Sequence, residues 1–204
     1  MQRQKRNRKK LVLGITGSFG SGKTSVARFF KAHGAYVIDA DRLAHGCIMP
    51  GESAFKKVVE LFGNSILTRN KTIDRKKLAK LVFGKRLAVK RLNRVIHPEV
   101  IRLIMQGVKN APRPLVVIDA PLLFESGLYK SVDKVIVVRV NKNTQVARLL
   151  KKTRLSKHEI EERIAHQLPQ RDKVRMADFI IDNSGSMKET KNQAECIRRM
   201  LWKN

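Results

Sequence analysis

Residues 11–39 read "LVLGITGSFGSGKTSVARFFKAHGAYVID", and this stretch decides the fold. Its first six residues are almost wholly apolar and end at a glycine, as a buried parallel strand does. Residues 23–31 then place Val26, Ala27, Phe29 and Phe30 at helical spacing, and Gly34 ends that helix. Residues 35–39, "AYVID", form a second strand. Between the first strand and the helix stands Gly17-x-x-x-x-Gly22-Lys23-Thr24. Glycines let successive backbone N–H groups turn towards one anion, and the helix that follows adds its positive end. Lys23 can reach the β- and γ-phosphates of a nucleoside triphosphate, and the Thr24 hydroxyl can ligate a divalent cation. Strand, loop, helix and strand in that order are the context such a phosphate cradle requires.

Working outward, the same alternation resumes late in the chain. "LVVID" at 115–119, "VIVVRV" at 135–140 and "FIID" at 179–182 are further strands. Helices are expected at 144–152, at 157–166 behind a Ser156 cap, and at 188–202. Five strands alternating with helices imply an α/β protein, a three-layer α/β/α sandwich around a five-stranded parallel sheet. Residues 41–109 differ, being mostly helical in pattern. Pro50 and Gly51 break it, and Ser53 is expected to cap a helix running to Phe62. Asp74 is expected to cap another containing Leu78, Leu81 and Val82. Gly84 interrupts, a further helix runs to Ile96, and His97-Pro98 is expected to start one more. This reads as a helical insertion between the second and third strands, able to cover a substrate.

Composition narrows the classes. The chain has 204 residues, enough for one α/β domain with an insertion, and 42% of them are hydrophobic, so a core can form. No apolar run is long enough to span a membrane. The start, "MQRQKRNRKK", lacks an apolar segment of its own before the first strand, so it is not read as a secretory signal. It reads as a disordered basic extension covering residues 1–10. Cys47 and Cys196 have no metal-like spacing and suit a reducing, cytoplasmic setting. The net charge of +27 raises nucleic acid as a partner, but aromatic residues are only 5% and no zinc finger or RNA-binding signature is present. Binding of small, highly phosphorylated ligands answers the charge as well, and nucleic acid is the less favoured partner.

Several polar residues stand where chemistry would need them. Asp39 and Asp41 follow the second strand, at the edge where open α/β sheets bind ligands. Asp39 reads equally as a helix cap, whereas Asp41 suits a carboxylate that accepts a hydroxyl proton beside a γ-phosphate. Asp119 ends "LVVID", a pattern in which the acid holds Mg²⁺ directly or through water. Arg148, Lys151, Lys152 and Arg154 follow the fourth strand. They read either as a solvated basic face or as cations on a lid over the transferring phosphate. His97 before Pro98 fits a structural histidine near a helix start. His33, His45, His158 and His166 have no ligand spacing, so no histidine–cysteine metal site is expected.

Taken together, five segments resemble the dephospho-coenzyme A kinase family: "LGITGSFGSGKTSVA" (13–27), "VIDADRLAH" (37–45), "HPEV" (97–100), "DAPLLFESGL" (119–128) and "ADFIIDNSG" (177–185). They stand in the family's order and cover nearly the whole chain after residue 10. The resemblance implies a P-loop nucleoside-triphosphate hydrolase fold with a helical substrate-binding region (41–111), a lid (about 146–176) and a core made of 11–40, 112–145 and 177–204. It implies ATP-dependent phosphorylation of the ribose 3′-hydroxyl of dephospho-coenzyme A, with ATP and Mg²⁺ required. By motif position, Asp41 matches the catalytic base and Arg148 a lid arginine on the ATP phosphates. Gly20, Ser21, Gly22, Lys23, Thr24 and Ser25, with Gly17, match the ATP-binding segment. Asp39, His97, Leu122 and Phe124 fall in motifs that line or support the substrate region. Two positions depart. Lys152 stands where the family often has arginine, keeping charge but losing the two-pronged grip. His45 stands where arginine is common. A monomer without membrane attachment is the expected state.

Overall fold

The computed structural model describes residues 10–82 and 85–202. The basic extension expected at 1–10, apart from Lys10, and the interruption expected at Gly84 lie outside the described residues. The chain forms two compact units, one of residues 39–109 and one of the remaining described residues.

In the larger unit, β1 (Leu11–Thr16), β2 (Tyr36–Asp39), β3 (Leu115–Asp119), β4 (Lys134–Arg139) and β5 (Phe179–Asp182) form one sheet in the order β2-β3-β1-β4-β5. The pairings of β1 with β3 and β4, and of β4 with β5, are parallel, with Ile15 beside Asp119 and Ile136. All five strands were legible in the sequence to within a residue at either end. The chain passes from β1 towards β2 on one side and later to β4 on the other. The carboxyl end of β1 is therefore the switch point, where a crevice opens.

Consecutive residues of β1, β3 and β4 are buried, so both sheet faces are covered. On one face Leu13, Ile15, Val117, Ile136 and Val138 pack with Val26, Ala27 and Phe30 of α1 (Lys23–Ala32). Ala194 and Ile197 of the last helix join the same cluster. On the other face a side-chain carbon at Gly14 would lie 2.8 Å from Leu123, so the segment after β3 sits directly on β1.

Helix α6 (Lys142–Lys152) begins two residues earlier than its apolar spacing suggests, because Asn141 caps it, accepting from Thr144 N–H at 2.8 Å. Helix α7 (Lys157–Ala165) carries the expected Ser156 cap, completed by Glu159 into a reciprocal capping box. A short helix, α8 (Gln170–Arg175), was not expected, and α9 (Met187–Leu201) closes the unit behind a second capping box at Ser186.

The smaller unit holds α2 (Ala40–Gly46), α3 (Ser53–Phe62), α4 (Arg75–Val82) and most of α5 (Arg86–Asn110). Two expectations are corrected here. Ser53 is not the cap of α3 but its first residue, preceded by Glu52, and its hydroxyl, after the Arg102 guanidinium, helps hold the Glu99 carboxyl below the usual range. His97-Pro98 does not start a new helix; α5 runs through it. Pro98 removes one helical hydrogen bond, usually a breaking loss. However, no glycine or capping residue stands between Ile96 and Val100, and the buried stripe of Val100, Ile104 and Val108 continues at four-residue spacing. Asp74 caps α4 as expected, accepting from Lys76 and Lys77 N–H.

Both cysteines are free thiols. Cys47 is fully buried, and burial with the nearby Glu99 and Glu52 charges pushes its thiol up to about 11. At pH 8 only about 0.1% of it is then thiolate, the reactive form. Alkylation of the native protein with iodoacetamide is therefore expected to mark the exposed Cys196 first, with Cys47 labelled only after unfolding. Mass spectrometry of the labelled peptides checks this.

Candidate active site

Between β1 and α1 the backbone turns on glycines whose shape no other residue would keep. At Gly17 a side-chain carbon would lie 2.3 Å from the Val138 carbonyl, so the loop lies against β4. At Gly22 the backbone is left-handed (φ 94°), and a side-chain carbon would lie 2.1 Å from Asn183 Nδ2. That amide donates to Ser21 O at 2.8 Å. Gly22 is also the N-cap of α1 and provides no side chain to cap it. The first N–H groups of the helix thus face the loop rather than a side chain. Ser21 Oγ is buried and has no hydrogen-bond partner among the described residues.

Replacing Gly22 with alanine is expected to cost about 1–2 kcal/mol for the left-handed backbone. About 1 kcal/mol more follows from displacing the Asn183 amide. The expected readout is a Tm lower by roughly 5–10 °C together with a raised KM for ATP, checked by thermal melting and steady-state kinetics.

A cleft of about 440 Å³ opens beside this loop, and Gly20, Gly22, Lys23, Thr24, Ser25 and Arg148 are among its lining residues. The sequence assigned every one of these six to phosphate or nucleotide contact. Lys23 is buried, with Nζ 3.4 Å from Ser18 O, which curls it back over the loop. Thr24 Oγ1 donates to Asp119 Oδ2 at 3.3 Å, so the hydroxyl and the carboxylate named as metal ligands do meet. Two hard oxygen donors suit Mg²⁺, which usually takes only one or two protein oxygens beside substrate phosphates. No cluster of three or more histidine, cysteine or acidic side chains is found among the described residues that would favour another metal.

Arg148, on α6, donates from Nη1 to Asn183 O at 2.5 Å and from Nη2 to Gly185 O at 2.9 Å. Those bonds hold the guanidinium at the wall of the cleft, which Arg148 lines. Lys152, one turn further along α6, also lines the cleft, as do Arg28 and Asn183. Arg28 was missed; its signal was its place one helical turn after Thr24 on α1. Asn183 was missed as well, although it stands in the quoted segment 177–185. Beside it, the Asp182 carboxyl is held below the usual range by the Ser184 hydroxyl and N–H and by Arg139.

Leu122 is half-buried and Phe124 buried, the latter against Tyr129 with ring centres 5.5 Å apart. In the smaller unit Asp39 caps α2 by accepting Arg42 N–H at 2.9 Å, while Asp41 is exposed in the first turn of that helix. His97 is half-buried within α5, and His45 Nε2 lies 2.5 Å from Arg75.

The family model for dephospho-CoA kinase matches residues 11–189. The chain belongs to the dephospho-coenzyme A kinase family. It is 40% identical over 197 residues to a dephospho-CoA kinase of Carboxydothermus hydrogenoformans, covering 95% of this chain and 96% of that one. It is 42% identical over 199 residues to that of Bacillus licheniformis, covering 95% and 98%. A crystal structure from Thermus thermophilus superimposes with a TM-score of 0.83 at 31% identity, over 96% of this chain and 100% of that one. The P-loop kinase fold expected of a dephospho-coenzyme A kinase is thus the fold of this chain. No helix among the described residues is long and apolar enough to cross a membrane.

Proposed function

We propose that this chain transfers the γ-phosphoryl group of ATP to the ribose 3′-hydroxyl of dephospho-coenzyme A, giving coenzyme A and ADP, the last step of coenzyme A synthesis. The observation that carries this reading is membership of the family across nearly the whole chain, from before the phosphate loop to α9. The cleft supplies the chemistry of the donor side, and the family identity supplies the acceptor.

Phosphoryl transfer asks a protein mainly for positioning and for charge around the moving group. Lys23 and the N–H groups of Gly20 to Ser25 grip the ATP phosphates, with Gly17 keeping the loop flat against β4. Arg148 compensates the charge that develops on the γ-phosphoryl oxygens. Thr24 and Asp119 are the residues that would hold Mg²⁺, which when bound neutralises phosphate charge. Asp41 orients the acceptor hydroxyl and takes its proton. Asp39, His97, Leu122 and Phe124 bind or shape the site for the acceptor. Residues 41–111 serve as the acceptor-binding region and 146–176 as the lid that excludes water. The protein works in the cytoplasm as a monomer, without nucleic acid.

The test is an acceptor assay with purified protein, Mg²⁺ and ATP, with coenzyme A and ADP both quantified. Equimolar coenzyme A and ADP are expected with dephospho-coenzyme A. Phosphorylation of nucleoside monophosphates, with dephospho-coenzyme A left unchanged, would overturn the reading.

A further inference from the structure

The apex of the phosphate loop, Ser18-Phe19, is not held by the loop alone. Ser18 O takes the Ser21 N–H at 3.0 Å, but both backbone groups of Phe19 are satisfied from elsewhere. Gln145 of α6, almost fully buried, donates from Nε2 to Phe19 O at 2.6 Å and to Ser18 Oγ at 2.9 Å. Gln167, just after α7, accepts the Phe19 N–H at 2.7 Å. The Phe19 ring packs on Val146, Leu149 and Ile160 of the two helices, with the Arg163 guanidinium 5.7 Å from its centre.

Gln167 is itself fixed. The next residue, Leu168, donates its N–H to Glu125 at 2.9 Å, and Glu125 pairs at the same distance with the fully buried Lys173. Gln145 also stands one turn before Arg148 on α6. One rigid helix thus grips the loop apex and carries a cation into the cleft.

We infer that Gln145 and Gln167 are positioning residues that join the phosphate-loop apex to α6 and α7, so that nucleotide binding and the ordering of residues 157–168 are coupled. This rests on reading residues 17–25 as the nucleotide site. A ligand that fixes the loop must fix its partners, and by linkage a fixed α7 favours the ligand by the same factor. Loss of one such hydrogen bond, leaving a backbone group unmet, corresponds to about a fivefold to tenfold weakening.

The test uses the full chain, its Gln167→Ala variant and its Gln145→Met variant, with ADP as the probe. Hydrogen exchange in the unsubstituted protein is expected to slow at 17–25 and at 157–168 when ADP is added. In Gln167→Ala the slowing at 17–25 persists and that at 157–168 is lost. Both variants are expected to raise KM for ATP about fivefold to tenfold, with KM for dephospho-coenzyme A within about twofold. A purely structural role predicts a lower Tm with an unchanged KM for ATP, and that result overturns the inference. Should Gln145→Met fail to fold, the half-buried Gln167 carries the test. Slowing at 17–25 without slowing at 157–168 in the unsubstituted protein overturns this inference alone. No slowing at either segment overturns the nucleotide-site reading with it.

Discussion

Changing Asp41 to asparagine is expected to lower kcat by about 10²–10⁴-fold, the usual contribution of a positioned general base. KM for ATP is expected to stay within about twofold, since the amide keeps the size of the carboxylate and loses only its basicity. Asp41 suits the role by exposure and place: it is solvent-accessible in the first turn of α2, and its neighbour Asp39 already does the capping. Asp39→Asn supplies the control. Asparagine caps a helix as well as aspartate does, so α2 should persist and kcat should fall far less than in Asp41→Asn. The measurement is steady-state kinetics following ADP release, with ATP affinity determined separately by titration. A kcat within about threefold of the parent protein would remove Asp41 as the base.

What the sequence disclosed, and what it concealed, follow from how far apart the interacting residues stand. The phosphate loop is local: its glycines, lysine and hydroxyl lie within eight residues and are framed by a strand and a helix. The five strands were legible because a parallel sheet covered on both faces leaves continuous apolar runs. Arg148 was singled out by its place in the family's motif, because the basic run around it reads equally as a solvated helix face. Asn141 was overlooked because apolar spacing marks a helix interior, not its cap. The break expected at Pro98 failed because a buried stripe outweighed one missing hydrogen bond. Gln145 and Gln167 gave no signal, for their partners in the phosphate loop lie 126 to 148 positions away. A glutamine on a basic helix looks like surface until the loop it reaches is placed beside it.

Lys173 is the strongest case of that concealment, and Lys173→Met is expected to lower Tm by roughly 6–12 °C. In a basic run, "QRDKVR", this residue reads as one more solvated cation. Instead it is fully buried, with Nζ donating to Pro121 O at 2.8 Å and pairing with Glu125 Oε1 at 2.9 Å. Removing one partner of a buried pair costs about 3–5 kcal/mol. The Glu125 side chain retains 22% of its exposure, so water can recover part of its charge, and the lower end of that range is appropriate. About 3 kcal/mol corresponds to the stated shift at 2–4 °C per kcal/mol for a chain of this size. Glu125→Gln is expected to be milder, because the amide oxygen still accepts from Lys173 and from Leu168 N–H. The double variant should then be less destabilised than the sum of the two, as residues in one network require. Function should follow geometry. Pro121 O also accepts the Thr16 hydroxyl at 3.2 Å, so the lysine fixes the chain where it leaves β3, two residues past Asp119. Assayed well below its Tm, Lys173→Met should therefore still show a reduced kcat, because folding alone does not restore the path of residues 119–125. An unchanged Tm, within about 2 °C, would mean that the buried ammonium contributes no net stability and that apolar packing at this position serves equally well.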